Sequence, residues 1–349
     1  MPATSNKEFK DLESYLDHHA GKGGLKADLA EALGHLANAA MALAAQIANG
    51  EMAAELKAEG KANVHGEVQK HLDVIADEAF KLAATKSPVA WLLSEEWDEV
   101  VTLKANGTLA LAIDPLDGSA NIAINSTIGT IFAFYEANRS SGEASFLQQG
   151  RKLLAAGYVV YGAQTELVVS LGDGTHFFTL NGKRTKFVGT GRAKIPSETQ
   201  EFAVNASNYR HWPSGYRAYV DDCIEGQDGV LGKNYNMRWL AAVVGEAHRI
   251  LRRGGIFIYP ADSRKGYEHG RLRLIYECAP IAFLIEQAGG SATNGQRPIL
   301  DILPTNVHQR CGLCFGSSQE LQRLAGYIAG MEEKEAPLFG KRGLFRAAM

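Results

Sequence analysis

Two carboxylates three residues apart directly follow an apolar run of this 349-residue chain. The run 109–113, Leu-Ala-Leu-Ala-Ile, predicts a buried strand that ends at Asp114-Pro-Leu-Asp117. Gly118 lets the backbone approach a ligand closely, and residues 119–121 begin a helix, where free N–H groups bind phosphate. Carboxylates beside a phosphate require a hard cation between them, and Mg²⁺ accepts both kinds of oxygen. The pattern therefore predicts a magnesium and phosphate site, with a plain acidic turn as the alternative.

Further acidic residues stand where other predicted elements begin or end. Glu95 and Glu96 follow the apolar segment Trp91-Leu-Leu, which places one carboxylate toward a metal and the other toward water. The alternative for adjacent glutamates is a solvated surface. Glu277 opens an apolar helix, where a buried acid needs a partner, although the helix dipole also favours an acid there. With Asp114 and Asp117 these residues predict one carboxylate cluster.

The elements that must position this cluster belong to a chain of ordinary globular composition, 46% hydrophobic and 21% charged. The net charge is −3 without a long basic run, which excludes a general nucleic-acid surface. The absence of any 18-residue apolar run predicts no membrane partner, and the polar segment 1–11 does not have the pattern of a signal peptide. Four cysteines fit a reducing cytoplasm, and Cys311 and Cys314 are predicted to be core residues on opposite faces of a strand.

Hydrophobic periodicity predicts amphipathic helices at 25–47 and about 67–84, then a meander of short strands between about 90 and 180. Beyond residue 192 the predicted elements are a strand at 201–205, helices at 217–225 and 237–251, a strand at 256–259, a helix at about 276–288, a strand at 311–315 and a helix from 317 to about 329. This order predicts an α+β and α/β fold of two layered domains. The predicted domains are 1–195 and 196–335, followed by a loosely held tail at 336–349.

Motifs in order from about residue 60 to 318 carry a resemblance to a known family. They are Asn63-Val-His-Gly66-Glu-Val-Gln-Lys-His-Leu-Asp73, Ser94-Glu-Glu, Asp114-Pro-Leu-Asp-Gly-Ser, Gly129-Thr-Ile-Phe, Met237-Arg-Trp, Gly254-Gly-Ile-Phe-Ile-Tyr259-Pro, and Leu272-Arg-Leu-Ile-Tyr-Glu277-Cys-Ala-Pro. The chain resembles class I fructose-1,6-bisphosphatases, within the lithium-sensitive, magnesium-dependent sugar-phosphatase superfamily. The resemblance implies that the two domains form a layered α-β-α-β-α sandwich. It also implies hydrolysis of the 1-phosphate of D-fructose 1,6-bisphosphate in carbohydrate metabolism of the gluconeogenic or Calvin-cycle type.

The resemblance also assigns roles to individual residues. The implied metal ligands are Glu95, Asp114, the carbonyl of Leu116, Asp117 and Glu277, holding two or more Mg²⁺ per subunit that Mn²⁺ can replace. The implied catalytic residues are Asp73 and Glu96, which orient and deprotonate the attacking water. The implied phosphate cradle is the backbone of Gly118, Ser119 and Ala120. The implied contacts to the sugar and its second phosphate are Asn205, Tyr259, Arg271 and, from a neighbouring subunit of a homotetramer, Arg238.

Several positions depart from the family pattern. Ala120 and Ala123 stand where the family often has Ser and Asp, Trp239 replaces a tyrosine, Arg271 a lysine and Asn208 a tyrosine common in animal members. These departures affect the choice of sugar more than the reaction, because a backbone N–H still binds phosphate at Ala120.

Alternatives therefore stay open: a dual enzyme that also takes sedoheptulose 1,7-bisphosphate, an inositol-phosphate phosphatase of the same superfamily, or a non-catalytic relative. Thr108 and Leu109 fall where members inhibited by adenosine monophosphate carry Lys-Tyr, which predicts weak or absent inhibition by that nucleotide.

Overall fold

The structure is a computed structural model that describes residues 9–49 and 64–335, with only the backbone described at 64–70 and 331–335. The helices are α1 Leu12–Ala20, α2 Leu25–Asn49, α3 Val64–Lys86, α4 Ser214–Glu225, α5 Val243–Arg253, α6 Ala279–Gln287 and α7 Ser318–Glu335. The strands are β1 Val89–Ser94, β2 Val101–Thr102, β3 Leu109–Asp117, β4 Ile128–Glu136, β5 Ala155–Tyr161, β6 Thr165–Ser170, β7 His176–Leu180, β8 Phe187–Arg192, β9 Glu201–Val204, β10 Asn236–Met237, β11 Ile256–Tyr259, β12 Leu272–Arg273, β13 Ser291–Thr293, β14 Arg310–Cys311 and β15 Leu313–Gly316.

The strands form two main sheets. The first has the order β2-β1-β3-β4-β5-β6-β7-β8 and is antiparallel except for the β1–β3 pair. The second has the order β10-β9-β11-β15-β13 and mixes parallel with antiparallel pairs, while β12 and β14 form a separate two-stranded sheet. The predicted boundary between residues 195 and 196 falls in the segment that joins the first sheet to the second.

Helices cover both faces of each main sheet. In β3, Leu109, Leu111 and Ile113 pack toward α1, α2 and α3, whereas Ala110 and Ala112 face α5 and α6. Because both faces are buried, the strand is a continuous apolar run rather than an alternating one. The far face of the second sheet packs on α4 and α7 through residues such as Tyr219 and Leu324. The predicted α-β-α-β-α layering is confirmed.

Several predicted elements begin or end elsewhere. The helix predicted at 237–251 is wrong in its first turns: Met237 lies in β10 and α5 begins at Val243. The helix predicted from 276 is a wide π-helical turn, 274–278, before α6, because the ring of Pro280 would clash with the carbonyl four residues earlier in a regular α-helix.

At the carboxyl-terminal side, the predicted strand 311–315 is interrupted at Gly312, so that Cys311 lies in β14 and Cys314 in β15. Both thiols are buried, and they belong to different cores, as predicted. The last helix continues to Glu335, beyond the predicted end near 329, and the predicted tail 336–349 lies outside the described residues.

Candidate active site

The Asp114-to-Asp117 segment is a bulge at the end of β3. Asp114 pairs with Ile131 of β4 and Asp117 with Gly129, so two residues of β3 stand opposite one residue of β4. Pro115 explains the irregularity, because proline has no N–H to give to the ladder. The carboxylate of Asp114 turns back to accept the N–H of Leu116 at 3.0 Å. The bulge thereby presents both aspartates at the end of the strand.

Glu277 completes a compact acidic group with these two aspartates. One carboxylate oxygen from each of Asp114, Asp117 and Glu277 lies within 4.8 Å of the other two, and all three side chains are buried. Backbone N–H groups orient them: Val244, in the first turn of α5, donates to Asp117 at 2.8 Å, and Arg273 donates to Glu277 at 2.6 Å. The wide turn before α6 places Glu277 over the end of β3.

Burial raises the pKa values of all three acids. Desolvation raises the pKa of Asp117 to about 7, although the Val244 N–H bond opposes the rise. Desolvation, followed by the charge of Glu95, raises the pKa values of Asp114 and Glu277 well above the ordinary range. Within the part of the chain that the structure describes, no ion pair joins these three carboxylates to a cation. A donor set of three buried, uncompensated carboxylates fits a hard divalent cation.

Glu95 and Glu96 lie at the rim of this group, after β1. The N–H of Glu95 donates to the carbonyl of Ile113 and so continues the pairing of β1 with β3. The Glu95 carboxylate lies 3.5 Å from the Nε atom of Arg273, and Glu96 is exposed. The two glutamates therefore have different surroundings.

The turn after the bulge is shaped to approach a ligand closely. Gly118 has φ 76° and ψ 27°, a left-handed conformation, and it opens a short 3₁₀ helix, Ser119–Ile124. A Cβ atom at Gly118 would also lie 2.8 Å from the Cβ atom of Ala242. Both conformation and space therefore require glycine here, and the predicted helix start is confirmed in position but is 3₁₀ rather than α.

A loop from the second half of the chain closes over this turn. The carbonyl of Leu240 accepts a hydrogen bond from the Asn121 side-chain amide at 3.2 Å. The backbone N–H of Leu240 donates to the buried carboxylate of Glu246 at 2.6 Å. Ala241 has φ 56°, a left-handed conformation that is unfavourable for alanine. We call residues 239–242 the clasp loop. It joins the turn at Gly118, at the end of β3, to the first turn of α5.

The acidic group and the turn open into one cleft of about 460 Å³. Its far wall is aromatic: the Trp239 ring lies 5.8 Å from that of Phe257 at 4° and 5.9 Å from that of Tyr259 at 20°, centroid to centroid. A larger cavity, of about 1040 Å³, lies beside the end of α2, and its described lining contains no carboxylate. The cleft, rather than the larger cavity, therefore carries the acidic chemistry.

Most predicted site residues line the cleft. They are Glu95, Glu96, Asp114, Leu116, Asp117, Gly118, Ser119, Ala120, Asn205, Tyr259, Arg271 and Glu277. Asp73 lies behind the rim on α3, near enough for the charge of Glu96, after desolvation, to raise its pKa to about 6. Arg238 is exposed and outside the cleft of its own chain, with its Nε atom 3.9 Å from Glu201.

Sequence reasoning missed the part of the site that α5 and β12 supply. The N–H of Val244, the clasp loop and Arg273 all contact the acidic group or the short helix after Gly118, yet none carries a spacing signal. The tryptophan at 239 was noted only as a departure from a family pattern. Of the predicted motif 63–73, Asn63 lies outside the described residues.

Comparisons with known proteins agree across nearly the whole chain. Residues 13–192 match the family described as fructose-1-6-bisphosphatase, N-terminal domain, and residues 195–329 match its C-terminal domain. Fructose-1,6-bisphosphatase class 1 1 of Cereibacter sphaeroides is 52% identical over 324 residues, covering 93% of this chain and 97% of the relative. The corresponding protein of Bradyrhizobium sp. is 50% identical over 336 residues, covering 96% and 98%. The crystal structure of Leishmania major fructose-1,6-bisphosphatase in apo form has a TM-score of 0.81 at 29% identity, covering 93% of this chain and all of that chain.

Proposed function

The chain belongs to the class 1 fructose-1,6-bisphosphatase family, and we propose that it hydrolyses the 1-phosphate of D-fructose 1,6-bisphosphate to give fructose 6-phosphate and phosphate. The observation that carries the proposal is the buried group of Asp114, Asp117 and Glu277 beside the turn at Gly118. Such a group is unfavourable for a sugar phosphate unless a cation neutralises it.

The family is metal dependent, and the acidic group fits a metal ion. We propose that Asp114, Asp117 and Glu277, with Glu95 and the carbonyl of Leu116, hold two or more Mg²⁺ per subunit, with Mn²⁺ able to substitute. The chemistry that Mg²⁺ supplies in such a group is neutralisation of charge on the entering and leaving oxygens. The backbone of residues 118–120 binds the phosphate that is cleaved, with the dipole of the short helix only a minor contribution.

Asp73 and Glu96 are proposed to activate the attacking water. The Oδ1 atom of Asp73 is buried and has no hydrogen-bond partner within the described residues, so it has an acceptor left for a water molecule. Its pKa of about 6 is close to the pH at which a general base must hold and release a proton. Desolvation and the charges of Glu95 and Asp77 raise the pKa of Glu96 as well.

The opposite end of the cleft is proposed to bind the sugar and the phosphate that is kept. Arg271 brings a cation to the mouth of the cleft, Tyr259 belongs to the aromatic wall, and Asn205 follows β9 at the cleft edge. Arg271 is exposed, so its guanidinium is accessible to a phosphate that enters the cleft. These residues favour a bisphosphorylated sugar over an inositol monophosphate.

Arg238 is proposed to enter the site of a neighbouring copy in a homotetramer, since it is exposed and does not line the cleft of its own chain. The proposed domains are 1–195 for metal and phosphate and 196–335 for sugar and second phosphate. A cytoplasmic location is part of the same proposal; within the described ranges, none of the helices combines the length and apolar character needed to cross a membrane.

A substrate panel tests the proposal. Phosphate release would be measured from fructose 1,6-bisphosphate, sedoheptulose 1,7-bisphosphate, inositol 1-phosphate and fructose 6-phosphate, each with Mg²⁺ and with a chelator. We expect the fructose bisphosphate to be the preferred substrate and the chelator to abolish release. A comparable rate on the seven-carbon bisphosphate would establish a dual enzyme, and preference for inositol 1-phosphate would refute the assignment.

Two variants separate the acidic chemistry from a general loss of structure. Asp117→Asn keeps an acceptor for the Val244 N–H but removes the charge, and we expect activity to fall by about 10³-fold or more. The matched control is Asp173→Asn, on the β6–β7 turn, where the carboxylate contacts His19 at 2.8 Å. Full activity in Asp117→Asn would rule out the proposed metal site.

A further inference from the structure

One peptide group inside the bulge is held from both sides. The peptide between Pro115 and Leu116 gives its N–H to the Asp114 carboxylate at 3.0 Å, and its carbonyl accepts the Thr130 hydroxyl at 2.9 Å. Thr130 lies on β4, opposite the bulge, and is fully buried. The orientation of this peptide therefore depends on one proposed metal ligand and one hydroxyl from the next strand.

A second hydroxyl stands behind the first. The Tyr161 oxygen lies 3.0 Å from the Thr130 Oγ1 atom, and Tyr161 is 5% exposed. Thr130 has one proton, which goes to the Pro115 carbonyl, so the Tyr161 O–H must donate to Thr130. Register explains the contact: Val159 of β5 pairs with Thr130, and Tyr161 follows two residues later on the same face.

We call the hydrogen-bonded series from the Tyr161 hydroxyl through the Thr130 hydroxyl to the Pro115 carbonyl the relay. The relay faces the bulge and not the cleft. Neither Thr130 nor Tyr161 belongs to the cleft lining, although Tyr161 also lines the larger cavity beside the end of α2. Both side chains are buried, and burial strengthens a chain of hydrogen bonds and makes an unpaired carbonyl costly. Without the relay, the peptide would keep only its bond to Asp114. Rotation of the peptide would then turn the Asp114 carboxylate and the Leu116 carbonyl together.

We propose that Thr130 and Tyr161 are positioning residues for the metal site, acting through the Pro115–Leu116 peptide. The inference rests on the proposed function, since it assigns Asp114 and the Leu116 carbonyl to metal binding. The two hydroxyls touch neither substrate nor metal. Their effect is to fix the direction of two proposed metal ligands, the Asp114 carboxylate and the Leu116 carbonyl, which stand on either side of the Pro115–Leu116 peptide.

The experiment compares four variants in the full-length protein. Thr130→Val removes the hydroxyl with little change in shape, Thr130→Ser keeps it, and Tyr161→Phe removes only the second oxygen. The matched control is Thr175→Val, because the Thr175 hydroxyl is also buried and donates to a main-chain carbonyl, that of Leu284, at 2.7 Å. For each, the Mg²⁺ concentration that gives half of the maximal rise in melting temperature is measured, together with kcat and the KM for fructose 1,6-bisphosphate.

We expect Thr130→Val to raise the half-saturating Mg²⁺ concentration by about 10-fold or more, as loss of groups that orient metal ligands commonly does. Tyr161→Phe should give a smaller rise, Thr130→Ser should restore the wild-type value, and KM should change little beside kcat. Thr175→Val should lower the melting temperature in chelator without changing the half-saturating Mg²⁺ concentration, which we also call the Mg²⁺ midpoint.

Two results would overturn the assignment. One is a Thr130→Val protein that is less stable in chelator but has the wild-type Mg²⁺ midpoint, which would make the hydroxyl merely structural. If that variant does not fold, an unchanged midpoint in Tyr161→Phe has the same meaning. Failure of the wild-type protein to be stabilised by Mg²⁺ would instead refute the proposed metal site itself.

Discussion

Without metal, the protein should become less stable as the pH rises. With Mg²⁺ bound, it should instead be more stable at high pH than at low pH. Burial raises the pKa of Asp117 from 3.8 to about 7. Between these values the folded chain binds more protons than the unfolded chain, so the free energy of unfolding falls as the pH increases through this window. At about 1.4 kcal/mol per pKa unit, Asp117 alone accounts for about 4 kcal/mol of lost stability across this whole window, of which about 2 kcal/mol falls above pH 5.5. Asp114 and Glu277 act in the same direction.

The assay is thermal unfolding at pH 5.5 and pH 8.0, first in chelator and then in saturating Mg²⁺. We expect the chelated protein to melt several degrees lower at pH 8.0. Magnesium should stabilise far more at pH 8.0 than at pH 5.5, because binding at the lower pH must first displace protons from the carboxylates. The Mg²⁺-induced shift isolates the site, because contributions from the rest of the chain are the same with and without the metal.

Asp117→Asn provides the internal control, since the amide cannot titrate. This variant should show a smaller pH dependence in chelator and a smaller Mg²⁺ shift. A chelated wild-type protein that is equally stable at both pH values, or more stable at pH 8.0, would show that the three carboxylates are not the uncompensated group described here.

Three further outcomes are expected. Gly118→Ala should lower kcat/KM by about 10²-fold, because the new Cβ atom meets the clasp loop and φ is 76°; Gly172→Ala, at φ 93° with open space around it, should retain wild-type activity. Glu320→Ala should lower the free energy of unfolding by about 3–5 kcal/mol in chemical denaturation, since its fully buried carboxylate accepts from four side chains; an effect below 1 kcal/mol would contradict this. Adenosine monophosphate should inhibit weakly or not at all, since the Thr108 hydroxyl is already bonded to Asp28 at 2.7 Å; micromolar inhibition in a rate assay would refute it.

The sequence allowed the acidic end of β3 to be predicted because its signals are local. An apolar run, a proline and a glycine stand within ten residues of Asp114 and Asp117, and each acts on its own backbone. The layering followed from hydrophobic periodicity for the same reason. Pro280 is also a local signal, because a proline in the first turn of α6 favours the wide turn before it.

The rest of the site depends on contacts between distant residues. Residues 237–242 have good helix formers, but the Leu240 peptide bonds to Asn121 and Glu246 instead of to a helix. Tertiary contacts outweigh propensity at such a loop. The Val244 bond to Asp117 joins residues 127 apart, and no spacing rule predicts it.

The acidic group has one more consequence, which concerns how the molecule is assembled. Asp114 and Asp117 come from the first sheet, whereas Glu277 comes from the turn before α6, on the far side of the 195–196 junction. A chain divided at that junction would leave each fragment with an incomplete donor set. If the two halves are produced separately, Mg²⁺ should promote their association. The reason is that only the joined fragments can bind the ion with all three carboxylates.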